Sequence, residues 1–174
     1  MTPIEGLIPY LVPRAVAYPD YGWIAGLETR VVNPIIVGTI KPYIGPEDIL
    51  ICHSNGCAIG YDLMNRGVKM GGAIFINAAL EQKINRPAGV PWIDVYYNSG
   101  DTVTEAAKLG AELGLTDLVY GEMGHAGYLG TDLAITNYNC GATLRMSVVS
   151  GHSDFFTKLA DWGPFLVKKL EAHS

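Results

Sequence analysis

Residues 49–56 read Ile49-Leu50-Ile51-Cys52-His53-Ser54-Asn55-Gly56. The apolar run Ile49 to Ile51 has the character of a short buried strand. It leads directly to Ser54, with the small residues Cys52 and Gly56 two places away on either side. A helix-like segment, Cys57 to Met64, follows at once. Strand, sharp turn carrying a serine, then helix is the context of a nucleophile elbow. Such a turn strains the backbone at its apex, and small neighbours are expected there. The segment nominates Ser54 as a nucleophile above the carboxyl end of a sheet. It departs from the G-x-S-x-G pattern, because Cys52 stands where the first glycine would. A plainer reading is a strand-to-helix turn with Ser54 or Asn55 capping the helix.

The rest of the chain alternates in the same way. Pro3 to Leu11 reads as a short helix, and Arg14 to Tyr18 as a strand followed by the turn Pro19-Asp20-Tyr21-Gly22. Trp23 to Ile36 has helical spacing, with Pro34 expected to kink or interrupt it. Gly45 to Asp48 is a turn before the strand leading to Ser54. The helix after Ser54 should stop at Asn65-Arg66-Gly67, with Gly67 as its cap. Gly72 to Asn77 and Trp92 to Tyr97 are further strands, separated by a polar, proline-containing loop at 81–91. Thr102 to Leu113 reads as a helix capped by Thr102, with Glu105 completing a capping box. Residues 117–142 hold no sustained period and read as one long loop near the site. Thr143 to Val149 is the last strand candidate. A final helix runs from Phe155 to Leu170, with Gly163-Pro164 expected to interrupt it.

Strands alternating with helices imply an α/β fold, with a mostly parallel sheet and helices on both faces. Ligands then bind at the carboxyl ends of the strands. A serine hydroxyl needs a base to take its proton, and the base needs an orienting acid. Asp101 follows the strand 92–97 and His152 follows the strand 143–149, in the order nucleophile, acid, base. Asp101 is equally placed to cap the next helix, where a carboxylate is stabilised. His152 could instead cap or pack at the start of the last helix. His125 is the rival base and Asp132 the rival acid. His53 adjoins Ser54 and should point away from it. Together with Tyr128 and Tyr138 it is a candidate for substrate contact. The loop 117–142, which carries both tyrosines, either lines the pocket or is a packed surface connection.

At 174 residues, the chain is expected to be one domain with a sizeable core. A net charge of −5 gives no electrostatic reason to expect nucleic acid. No apolar run is long enough to span a bilayer, and the first residues lack the basic start of a signal peptide. The three cysteines, Cys52, Cys57 and Cys140, form no disulfide framework. With His53 and His125 they form no paired metal-ligand spacing. A reduced, cytoplasmic chain without metal or cofactor is the expectation.

Cys52-His53-Ser54-Asn55-Gly56, Ser99-Gly100-Asp101 and Gly151-His152-Ser153 together resemble the α/β-hydrolase superfamily over about residues 14–170. Tyr18-Pro19-Asp20-Tyr21-Gly22-Trp23 and Met123-Gly124-His125-Ala126-Gly127-Tyr128 look similar to small bacterial or phage-encoded members of unassigned substrate. The resemblance implies Ser54 as nucleophile, Asp101 as acid and His152 as base. It implies the backbone N–H of Asn55 as one oxyanion donor. Family members usually carry an early strand and a Gly-rich loop that supplies a second donor, and no such loop stands ahead of residue 14. Either the fold is N-terminally shortened, or the turn at Tyr21 supplies the donor, or the extreme N-terminus does. The expected activity is that of a serine hydrolase, an esterase acting on a small-molecule ester or other acyl substrate. The alternative is a non-catalytic α/β-hydrolase-like binding or assembly module. A sheet edge left open by a missing strand would offer a surface for a homodimer.

Overall fold

The computed structural model describes residues 33–104, 121–143, 152, 155 and 158–173. The strand expected at 14–18, the turn at Tyr21 and most of the strand expected at 143–149 lie outside them. The chain divides into two compact units. The larger is Ile24–His152. The described part of the smaller is Phe155 with residues 158–173.

Among its described residues, the larger unit is built on a four-stranded, all-parallel sheet in the spatial order β1-β2-β3-β4, which is also chain order. The strands are β1 Ile49–His53, β2 Gly72–Ile76, β3 Ile93–Tyr97 and β4 Ile135–Asn139. Every residue of β2, and β3 up to Tyr96, is buried, which is why β2 reads as a continuous apolar run, while β3 carries the buried Asp94 among its apolar residues. Helix α1 (Asn33–Ile40) packs on helix α2 (Asn55–Asn65), and α2 packs on β1. The core gathers Val37 from α1, Cys57, Leu63 and Met64 from α2, Phe75 from β2 and Val95 from β3. This is a general α/β fold.

Local chemistry explains the ends of these elements. The N–H of Gly67 donates to Met64 O (3.0 Å) and that of Val68 to Leu63 O (3.3 Å). With Gly67 at φ 77°, this is the paired closure of a helix C-terminus that the sequence predicts. Pro34 is the second described residue of α1, and the run up to residue 32 that it was expected to interrupt lies outside the described residues. The cap predicted at Thr102 sits one residue earlier. Asp101 Oδ1 accepts the N–H groups of Val103 (3.2 Å) and Thr104 (3.1 Å), and residues 102–104 are helical.

Three further expectations are corrected. Residues 121–143 are not a featureless loop. They contain helix α3 (Met123–Ala126), strand β4 and a short helix α4 (Cys140–Thr143). The sequence hid β4 because Ile135 is its one aliphatic residue and two of its five positions are asparagine, which is poor in strands. Thr143, expected to open the last strand, is helical. In the smaller unit, helix α5 (Leu159–Ala172) runs through Pro164 without interruption. A proline there removes one backbone bond, but Trp162 and Leu166 on either side are fully buried and hold the helix. The Trp162 ring meets Phe155 edge-on at 5.0 Å, and its indole N–H donates to Phe155 O. Among the described residues, no helix is long and apolar enough to cross a membrane.

Candidate active site

The carboxyl ends of β1, β2 and β3 lie side by side. The paired row His53–Ile76 and Ile76–Tyr96 sets Ser54 beside Asn77 just beyond it. Ser54 has φ 53° and ψ −126°, a conformation that a non-glycine residue adopts only where its surroundings hold it. Three hydrogen bonds do so. The Ser54 N–H donates to Ile76 O at 3.0 Å, and Ser54 O accepts from Cys57 N–H (3.0 Å) and Ala79 N–H (3.2 Å). The Ser54 side chain makes no cap hydrogen bond to α2, so the capping reading does not describe it.

The need for small residues around Ser54 takes a different form from the predicted one. A Cβ at Gly56 would meet nothing within 4 Å among the described residues. The tight contact is at Gly60, where a Cβ would lie 2.8 Å from Cys52 Sγ and 2.9 Å from Leu50 Cδ2. Cysteine at 52 is therefore accommodated one helical turn further along α2, where a glycine leaves room for its sulfur.

Ser54 Oγ lies 2.9 Å from His152 Nε2. His152 Nδ1 lies 2.9 Å from both carboxylate oxygens of Asp101. A carboxylate only accepts, so the ring proton sits on Nδ1 and the Nε2 lone pair faces the serine hydroxyl. Asp101 is fully buried and His152 is 8% exposed. Besides the histidine, the Asp101 carboxylate takes the two helix N–H groups of Val103 and Thr104. The cap and the triad-like arrangement thus use the same side chain.

The rivals are held elsewhere. Asp132 accepts from Arg86 Nε at 3.0 Å and from Ala134 N–H at 2.9 Å. His125 sits in α3, its backbone N–H donating to Glu122 O at 3.0 Å. Asn55 is the first residue of α2. Tyr21, expected as a second donor, lies outside the described residues.

The residues expected to meet substrate make contacts of their own. Tyr128 is a core residue, 6% exposed. Its hydroxyl accepts from Asp132 N–H (3.1 Å), and its backbone N–H and C=O are both bound by the Asn137 amide at 2.8 and 2.7 Å. Tyr138 stacks on Tyr96 with ring centroids 4.9 Å apart. His53 is turned toward His152. Its Nε2–H donates to His152 O at 2.9 Å, with the two rings 4.7 Å apart.

Three residues of this region were not singled out by the sequence. Asn77 follows β2 at φ 45°, fully buried, and its amide donates to His152 O at 2.7 Å. Asn98 follows β3, and its side chain accepts the Gly100 N–H at 3.0 Å, shaping the turn into Asp101. Gly124 lets α3 approach the acid, since a Cβ there would fall 2.8 Å from Asp101 Oδ2 and 2.6 Å from the Asn77 carbonyl carbon. The available signal was positional, a buried-type amide or close-packed glycine next to the carboxyl end of a strand.

The three thiols are buried and free. Burial pushes Cys52 and Cys140 up to about 12 and holds Cys57 well above its ordinary value. None is a ready nucleophile at neutral pH. Among the described residues, no group of three or more His, Cys, Asp or Glu is placed to hold a metal ion. No family model matches the chain, and no curated protein or solved structure matches it.

Proposed function

We propose that the chain is a serine hydrolase of the α/β-hydrolase type acting on a small carboxylic ester. The observation that carries this reading is the conformation of Ser54, φ 53° and ψ −126°, at 2.9 Å from an imidazole whose far nitrogen rests on a buried carboxylate. A serine held in that backbone region solely for structure would be an unexplained strain of about 1–3 kcal/mol. The chain order of the three residues and the parallel sheet beneath them also support the reading.

In this mechanism Ser54 Oγ attacks the acyl carbon while His152 Nε2 takes its proton. Asp101 keeps the ring proton on Nδ1 and stabilises the imidazolium that forms. The N–H of Asn55 at the start of α2 faces the developing oxyanion, helped by the positive end of the helix dipole. Imidazolium then protonates the leaving alcohol. Water, deprotonated by the same nitrogen, releases the acid. Amide, thioester and lactone carbonyls would follow the same course.

A fluorophosphonate probe tests the proposal. Ser54 should be labelled, Ser54→Ala should not, and ester hydrolysis should fall on the order of 10⁴-fold or more in that variant. Absence of labelling in the folded native chain would favour a non-catalytic binding or assembly module.

A further inference from the structure

The backbone carbonyl of His152 receives two hydrogen bonds from residues far away in sequence. Asn77 Nδ2–H donates at 2.7 Å across 75 residues, and His53 Nε2–H donates at 2.9 Å across 99. A carbonyl oxygen has two lone pairs, and both are used. Neither donor is incidental to the nucleophile. His53 precedes Ser54 in the chain, and Asn77 lies beside it in the sheet, following the Ile76 carbonyl that accepts the Ser54 N–H. Asn77 is itself fixed, with its backbone N–H on Tyr96 O at 2.9 Å and its side chain fully buried. The two strand ends that set the position of Ser54 therefore also hold the backbone of the histidine that faces it.

We infer that His53 and Asn77 are positioning residues, which fix the His152 imidazole against Ser54 by clamping the His152 backbone carbonyl. The inference rests on the triad reading proposed above. Asp101 fixes the ring at Nδ1 and so governs its rotation. It does not fix the distance from Nε2 to Ser54 Oγ. That distance follows from where the backbone of residue 152 is anchored, and the anchor is the sheet itself. His53 thus has a role other than substrate contact.

The test compares side chains of matched length. His53→Gln returns an N–H near the place of Nε2, while His53→Met fills similar space without a donor. The rate of fluorophosphonate labelling and of ester turnover should fall about tenfold or more in His53→Met and stay within about twofold in His53→Gln, with KM little changed in both. Asn77→Gly keeps the positive φ, loses the amide and should reproduce the His53→Met pattern. It carries the comparison if His53→Met fails to fold. The downfield proton resonance of the His152 ring N–H should be sharp in the native chain and in His53→Gln, and broadened in His53→Met and Asn77→Gly. Equal loss in the methionine and glutamine variants would overturn the clamp, as would an unimpaired methionine variant or a change in KM alone. The resonance separates this inference from the hydrolase reading. A native chain that fails to label, yet whose signal responds to the donors, retains the clamp and loses the hydrolase.

Discussion

Gly124 is a residue whose neighbourhood leaves little latitude. A Cβ there would press on Asp101 Oδ2 and on the Asn77 backbone, two supports of His152 at once. Gly124→Ala should destabilise the fold by about 1–3 kcal/mol through overpacking. It should also slow serine labelling by more than the loss of folded protein explains. Chemical denaturation and labelling rate, measured on the same sample, check both, and a variant with native labelling would show that the acid has room to move. Asp101 itself was legible in the sequence, because an acid after a strand and before a helix is marked by position. Gly124 was not, because the need for a glycine there arises from a backbone approach between segments that are distant in the chain.

At the scale of elements, the pairing of α2 with β1 is a two-residue bargain between Cys52 and Gly60. Alanine at 60 gains about 1 kcal/mol of helix propensity. A methyl group 2.8 Å from the Cys52 sulfur should outweigh that gain, leaving Gly60→Ala less stable by about 1–2 kcal/mol. Cys52→Ala in the same chain should recover part of the loss, and a double-mutant cycle of urea midpoints measures the coupling. Strictly additive effects would mean that the sulfur is not the obstacle. This pair also shows where pattern reading stopped. The departure from G-x-S-x-G was visible at Cys52, but its compensation lay at Gly60, one helical face away. β1 and β2 were legible because they are apolar up to His53 and Ile76, and β3 because its apolar residues flank a single buried Asp94. β4 was not, since only Ile135 at its start is buried and its other positions are threonine, asparagine and tyrosine. The glycines of 121–130, which suggested a loop, mark close backbone packing as well.

For the molecule as a whole, the buried thiols set an alkaline limit. Their ordinary value is 9.0, and burial pushes Cys52 and Cys140 up to about 12 in the folded chain. Below 9.0 these thiols are protonated whether the chain is folded or not. Above it the unfolded chain gives up protons that the folded one keeps, so stability falls as pH climbs toward about 12. The urea midpoint should drop between about pH 8 and about pH 10, and Cys140→Ala should lessen the drop. A midpoint unchanged over that interval would mean that the thiols exchange protons as freely as in water. The sheet order has a consequence in time. Neighbouring strands are consecutive in the chain, so the ladder can be laid down in the order of synthesis. The bond from Ser54 to His152 spans 98 residues, and the one from Asp101 to His152 spans 51. The serine is shaped early and its partner arrives last. On the ribosome, the nascent chain would carry a finished turn with an inert hydroxyl, and reactivity would switch on only when residue 152 has emerged and closed against the sheet.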